Sequence, residues 1–412
     1  MIILITNCFA SENYGEAAMV IGTSIWLKRV FPKATIFKYS SNVEADKIIY
    51  GRYGIIPVFR RNLSLSNPVT FLDPVYFSIH KLKHFIYHNR KLDNKKDILM
   101  HADIIIDISG DCIAQAHAFR RTFYANCYEL LRPIVLGKPV VLAPQSIGPF
   151  ENRLARGLAT FILRRASFIM AREQITYDFL SNEMMLDRVR LVLDSGFEMP
   201  SASTERIREI LYKERFEQDI SGIVVGVTPD GIWPRFFNSL GADHLLEECI
   251  NAVVTVIDRL IKNYGANIIL IPHSTSTFND DRPIIKKICS AVENRDKIKV
   301  FSGKYRPEEI KGIIGSCDIF IGGRMHACIA ALSSYVPTVA LSHSHKYFGI
   351  MEMLGQGSFV WDIMHPSISS LEEMVYALIE NRNVISKELT QKLQELKKES
   401  TIVWNKIKNY LA

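Results

Sequence analysis

The sequence predicts an α/β protein built from two doubly wound, parallel-sheet domains facing each other across a cleft. Three observations carry that prediction. Short apolar runs alternate with helix-length patterns along most of the chain, which is the signature of βαβ units rather than hairpins. At 412 residues the chain exceeds one ordinary core, and its 48% apolar content can fill two. A small polar stretch, Pro200-Ser-Ala-Ser-Thr204, separates the last strand of one series from the first of the next. The expected units are residues 1–200, residues 201–370, and helices in 371–412 that pack back across the junction.

In the first half the expected strands are Ile2–Thr6, Asp103–Ile108, Pro139–Ala143, Phe168–Ala171 and Val189–Leu193. The loop Ser11-Glu-Asn-Tyr-Gly-Glu16 follows the first of them and leads into a helical Ala17–Gly22. In the second half the strands are Ile223–Val227, Asn267–Ile271, Lys299–Phe301, Ile319–Ile321 and Thr338–Leu341. Leu389, Leu393, Leu396, Val403 and Ile407 follow helical spacing with a Lys/Glu outer face. Tyr53 to Lys96 breaks the alternation, mixing Phe59, Phe71, Tyr76 and Phe85 with Arg60, Arg61, Lys81 and Arg90. A helical excursion over the cleft is expected there. Its interleaved aromatic and basic residues fit a lipid headgroup layer, the pyrophosphate of a lipid-linked sugar, or a partly buried hairpin with a solvated basic face.

Composition narrows the function. The seven cysteines form no C-x-x-C pair and no metal spacing, so a reducing compartment is expected. The N-terminal apolar run is too short and lacks the basic leader of a signal peptide, and no apolar stretch is long enough for a bilayer, so the expected location is the cytoplasm. A net charge of +7 suits anionic ligands or a loose affinity for an acidic membrane surface. No recognition helix or RNA-binding signature accompanies it, which argues against nucleic acid. Neither a G-x-G-x-x-G fingerprint, a P-loop nor a G-x-S-x-G elbow is present. His343 and His345 lack a third ligand at metal spacing, so no metal is expected.

The candidate chemistry gathers at strand ends. In Ile321-Gly-Gly-Arg-Met-His326 a strand turns through glycines into an apolar helix, placing Arg324 and His326 where ligands of such folds collect. The helix start adds unpaired N–H groups, so a phosphate or carboxylate would be held by backbone and guanidinium together. The alternative is local: Arg324 pairs with a nearby acid and His326 caps its helix. Arg172 emerges after Phe168–Ala171, as a second anion ligand or as the partner of Glu173 or Asp178. Asp111, in Ser109-Gly-Asp111, is a candidate base or a helix cap. Gln145 ends its strand as a hydrogen-bond partner for a sugar, and His273 lies on the rim of the second half.

With these residues in place, the chain resembles the polysaccharide pyruvyl transferase family. The resemblance rests on Asn13-Tyr-Gly15, Asp103–Gly110, Gly137–Gly148, Ala171-Arg-Glu173 and, most specifically, Gly323-Arg-Met-His326 with its small-residue helix and the Pro-Thr-Val-Ala strand. It covers nearly the whole length. Glu16 stands where the family commonly has aspartate, and Asp111 where a third glycine is frequent. The resemblance implies two Rossmann-like domains of the glycosyltransferase B type and transfer of pyruvate from phosphoenolpyruvate to two sugar hydroxyls as a cyclic ketal. It further implies donor binding by Arg172, Arg324, Met325 and His326, with His326 as proton donor and no cofactor. Asn13, Tyr14, Gly15, Glu16, Asp111 and Gln145 fall on the acceptor side, and Asp111, Glu16 and His273 stand unranked as the base. The acceptor is a surface polysaccharide or its lipid-linked precursor, with peripheral association at the inner face of the membrane left open. Two rivals remain: a nucleotide-sugar glycosyltransferase or epimerase of the same fold, and a non-catalytic saccharide-binding protein.

Overall fold

The computed structural model describes residues 1–8, 11–59, 98–114, 120–150, 152–216, 222–276 and 279–411. The first sheet comprises β1 (Ile2–Thr6), β2 (Thr35–Ser40), β3 (Ile55–Phe59), β4 (Ile104–Asp107), β5 (Val140–Gln145), β6 (Phe168–Ala171) and β7 (Val189–Leu191). Their spatial order is β3-β2-β1-β4-β5-β6-β7, and every pairing is parallel. The second sheet comprises β8 (Val224–Thr228), β9 (Asn267–Leu270), β10 (Ile298–Val300), β11 (Ile319–Gly322), β12 (Thr338–Ser342) and β13 (Val360–Asp362). It runs β10-β9-β8-β11-β12-β13, again wholly parallel. The strand order reverses between β1 and β4 and between β8 and β11, the positions where doubly wound sheets open a crevice for ligands.

Both sheets are covered on both faces, which explains strands that are apolar without alternation. β4 (Ile-Ile-Ile-Asp) and β11 (Ile-Phe-Ile-Gly) are buried at every position. Three strands were absent from the sequence-based expectation, each for a physical reason. β2 carries Lys38 at its centre, a residue that argues against burial, yet its side chain is fully buried on Asp46 at 2.6 Å and the Tyr39 carbonyl at 3.0 Å. β3 contains Pro57 and lies at the edge, where a missing N–H is tolerated. β13 has only three residues, also at an edge. The start of the expected helical excursion is therefore a strand, and the rest of it, residues 60–97, lies outside the described residues.

Two helices fix how the sheets sit together. The helix Tyr14–Val30 is buried along most of its length. A Cβ on Gly22 would lie 1.8 Å from the Ser195 carbonyl oxygen, so only glycine permits this approach to the turn Ser195–Glu198. Thr23 Oγ1 and Ser195 Oγ then meet at 3.0 Å. The helix Ile368–Leu411 starts on the second core through Leu371, Val375 and Leu378 and ends on the first through Trp404 and Ile407. Trp404 stacks on Trp26 with centroids 5.8 Å apart. Among the described residues, no helix is long and apolar enough to cross a membrane.

Candidate functional site

The carboxyl ends of the two sheets meet at a seam opened by the loop before the helix Tyr14–Val30. Asn13 caps that helix, accepting from Gly15 N at 3.1 Å and donating to Glu16 Oε1 at 2.9 Å. The same loop bonds to the end of β9 in the other domain: Tyr14 N donates to the His273 carbonyl at 3.2 Å, and Thr275 N donates to Glu12 O at 3.1 Å. Tyr14 is buried, its ring edge-on to His273 with centroids 6.0 Å apart.

In the second domain β11 runs into Gly322-Gly323. A Cβ on Gly323 would fall 2.9 Å from both Asp230 N and the Trp233 ring, so the tight turn that presents Arg324 requires glycine. Arg324 donates from Nε and Nη2 to Asp281 Oδ1 at 2.9 and 2.7 Å, and Asp230 Oδ1 lies 3.1 Å from its Nε. Asp281 is fully buried and also accepts from Gly231 N, His273 N and Ser274 N at 2.8, 2.9 and 2.8 Å. It thereby fixes the ends of β8 and β9 as well as the arginine. Burial opposes the charge on Arg324, and Asp230 and Asp281 outweigh it, raising its pKa further. Burial, with Asp281 close by, pushes the Asp230 carboxyl up against the pull of Arg324.

His326 is the second residue of the helix Met325–Leu332, with a side chain only 16% exposed. Its Nε2 lies 3.6 Å from Asp194 Oδ2, a residue of the first domain just past β7. Asp194 Oδ1 accepts from Gly196 N at 2.7 Å, and its Oδ2 accepts from Arg172 Nη1 at 3.0 Å. Arg172 Nε in turn donates to Ser146 Oγ at 2.9 Å. Burial works against ionisation of Asp194, but His326 and Arg172 hold its carboxyl at about 2. On the other side of the ring, a Cβ on Gly15 would be 2.7 Å from His326 Cβ and 2.8 Å from Nδ1. The glycine that opens the first helix is what leaves room for the imidazole.

The sequence-derived candidates therefore divide. His326, Arg172 and the Gly15 loop converge at one point through Asp194. Both arginines already carry carboxylate partners: Asp194 for Arg172, rather than the neighbouring Glu173 or Asp178, and Asp281 with Asp230 for Arg324. His326 does not cap its helix, whose N-cap residue is Arg324. Met325 is buried in the second core, so what it can offer a ligand is its backbone. Gln145 is fully buried and donates to Asp107 Oδ2 at 3.2 Å, beside Asn7 Nδ2 at 2.6 Å and the Ser109 hydroxyl. Its amide nitrogen is thereby engaged by Asp107. Burial raises the Asp107 carboxyl to about 6 despite these donors. Asp111 is half-exposed and ion-paired with Lys346 from the opposite domain, and Lys346 and Arg172 overcome desolvation to depress its pKa. His273 is buried, and burial together with the charges of His326 and Arg324 moves its pKa well below the usual histidine value. His343, wedged between Phe236 and Tyr347, is lowered to about 3 by burial and by Lys346. Among the described residues no three His, Cys, Asp or Glu side chains gather as a metal site would require.

Asp194, Asp230, Asp281 and Lys346 were missed as site residues. Asp194 and Asp230 lie within a few residues of a strand's carboxyl end, in Leu193-Asp-Ser and Pro229-Asp-Gly, and that position was the available signal.

The family described as polysaccharide pyruvyl transferase matches residues 13–345. A curated relative, the amylovoran biosynthesis protein AmsJ of Erwinia amylovora, is 21% identical, with 99% of this chain and 98% of that protein covered. Among solved structures, Anabaena HepE in complex with UDP and glucose superimposes with a TM-score of 0.59 at 13% identity, covering 98% of this chain and 97% of that one. The UDP-GlcNAc 2-epimerase of Neisseria meningitidis gives a TM-score of 0.56 at 13% identity, covering 94% of each chain. These structural likenesses establish the glycosyltransferase B type of fold.

Proposed function

The chain belongs to the polysaccharide pyruvyl transferase family and serves polysaccharide biosynthesis, and from that premise we propose that it moves pyruvate from phosphoenolpyruvate onto two hydroxyls of a saccharide as a cyclic ketal. The supporting observation is the convergence of His326, at a helix start directly after Arg324, with Arg172 of the other domain through Asp194. Phosphoenolpyruvate carries a phosphate and a carboxylate on a three-carbon frame. Two guanidinium groups and the N–H groups of a helix start match that charge, the Met325 backbone among them.

In this scheme the His326 imidazolium delivers a proton to the methylene carbon of the donor while one acceptor hydroxyl adds to the neighbouring carbon. The carbon–oxygen bond to phosphate then breaks, inorganic phosphate leaves, and the second hydroxyl closes the ring. One of the two hydroxyl protons replaces the one spent on the methylene, and the other leaves with the phosphate. The arginines hold the charge that grows on the departing phosphate. Of the three candidate bases, His273 and Asp111 both have lowered pKa values and so accept protons poorly, which leaves Glu16 as the base in this scheme. The acceptor is a polysaccharide repeat unit, free or lipid-linked.

The test is incubation with phosphoenolpyruvate and a panel of saccharides, reading phosphate release and the ketal by mass spectrometry. Turnover that is lost in His326→Ala while phosphoenolpyruvate still binds is the expected result. Tight UDP binding with no phosphate release on any acceptor would overturn the proposal in favour of a nucleotide-sugar enzyme.

A further inference from the structure

We propose that Asp194 is the positioning residue of His326: a carboxylate supplied by the first domain that orients the imidazole of the second. This deepens the proposed function and rests on His326 being its proton donor. Asp194 is 1% exposed and its position is over-determined. Gly196 N holds one oxygen and Arg172 the other, and Ser146 holds Arg172 in turn. The oxygen bonded to Arg172 is also the one 3.6 Å from His326 Nε2. That separation is slightly longer than a hydrogen bond, and catalytic contacts of this kind tighten when a cleft closes on its ligand. With Nε2 directed at the carboxylate, Nδ1 is left on the Gly15 side, beside the loop assigned to the acceptor. The nitrogen facing a carboxylate sets which nitrogen carries the mobile proton.

The other charged groups on elements packed around this helix are engaged elsewhere. Glu16 accepts from Asn13. On the helix Pro307–Ile314, Glu308 pairs with Arg52, Glu309 with Arg206 and Arg306, and Lys311 donates to the Met199 carbonyl. Arg324 and His273 also lie near His326, but neither offers an anion. Asp194 is thus, among the described residues, the carboxylate that the fold presents to the ring. Because it comes from the other domain, the histidine is complete as an acid only when the domains are together.

The experiment compares wild type with Asp194→Asn and Asp194→Ala. Expected for Asp194→Asn is a fall in kcat of about 10²-fold, within the range of general acid contributions, with a smaller change in KM for phosphoenolpyruvate because Arg172 loses its competitor. Added formate should restore part of the kcat of Asp194→Ala and none of that of His326→Ala. Independently of turnover, ¹⁵N shifts of the His326 ring should show the proton on Nε2 in wild type and a changed tautomer balance in Asp194→Asn. A folded Asp194→Asn with unchanged kcat and tautomer overturns the proposal, as does a kcat loss that formate does not relieve in a folded Asp194→Ala. If wild type forms no ketal, the pyruvyl-transfer reading fails, while the ¹⁵N measurement still decides whether Asp194 orients the ring.

Discussion

Removing the Asp281 carboxylate should cost more stability than any other single truncation at the cleft. Its two oxygens accept from Gly231 N, His273 N and Ser274 N and from two nitrogens of Arg324, all between 2.7 and 2.9 Å. Asp281→Ala leaves two buried N–H groups and one half-buried one without their acceptor, at roughly 1–3 kcal/mol for each buried group before relaxation. Arg324 keeps Asp230, and water entering the vacated space recovers part of the loss. The expected net effect is about 3–5 kcal/mol, the range for breaking one side of a buried ion pair. Urea denaturation followed by circular dichroism measures it, with Asp281→Asn as the milder variant because one oxygen survives. A loss below about 1 kcal/mol for Asp281→Ala would refute the accounting, since even one orphaned buried N–H should exceed it.

Two further outcomes follow from particular contacts. Gly22→Ala would drive a methyl group into the Ser195 carbonyl, 1.8 Å from the ideal Cβ; it should cost about 1–3 kcal/mol or more, visible as a lowered Tm. Lys311 is buried, and burial with the nearby Lys397, opposed by Glu198, lowers its pKa to about 7. The folded state therefore sheds a proton that the unfolded chain keeps up to its ordinary value near 10.4. Stability contributed by this group accordingly rises with pH from 7 to about 10, with a slope approaching about 1.4 kcal/mol per unit. Lys311→Met should lack that rise, as paired urea titrations at pH 7 and 9 will show, and parallel pH dependence in the two proteins would contradict it.

The central strands were legible because strands buried on both faces leave nothing but apolar residues to read, as in Ile104–Asp107 and Ile319–Gly322. β2 was not, because the lysine at its centre is neutralised by Asp46, eight residues further along on the next helix. Arg324 and His326 stand out in the sequence for a positional reason: they are polar residues at the junction of a buried strand and a buried helix. Their counterions were hidden by distance along the chain. Arg172 passes over Glu173, which instead caps the following short helix on Thr176 N at 2.9 Å, and pairs 22 residues away with Asp194. Arg324 finds Asp281, 43 residues upstream. Local sequence offers the nearest acid, whereas the fold selects the one that the next strand end delivers.

The helix Ile368–Leu411, 44 residues or about 66 Å of continuous hydrogen-bonded chain, belongs to both hydrophobic cores. Leu371 to Leu393 complete one of them and Trp404 and Ile407 the other, while Ser400 accepts from Leu193 N between the two. An element shared in this way couples the halves thermodynamically: melting either sheet strips the support from one end of the rod and with it a wall of the other sheet's core. The two sheets should therefore melt together, with fewer of the partial openings at the domain junction from which aggregation and proteolysis begin.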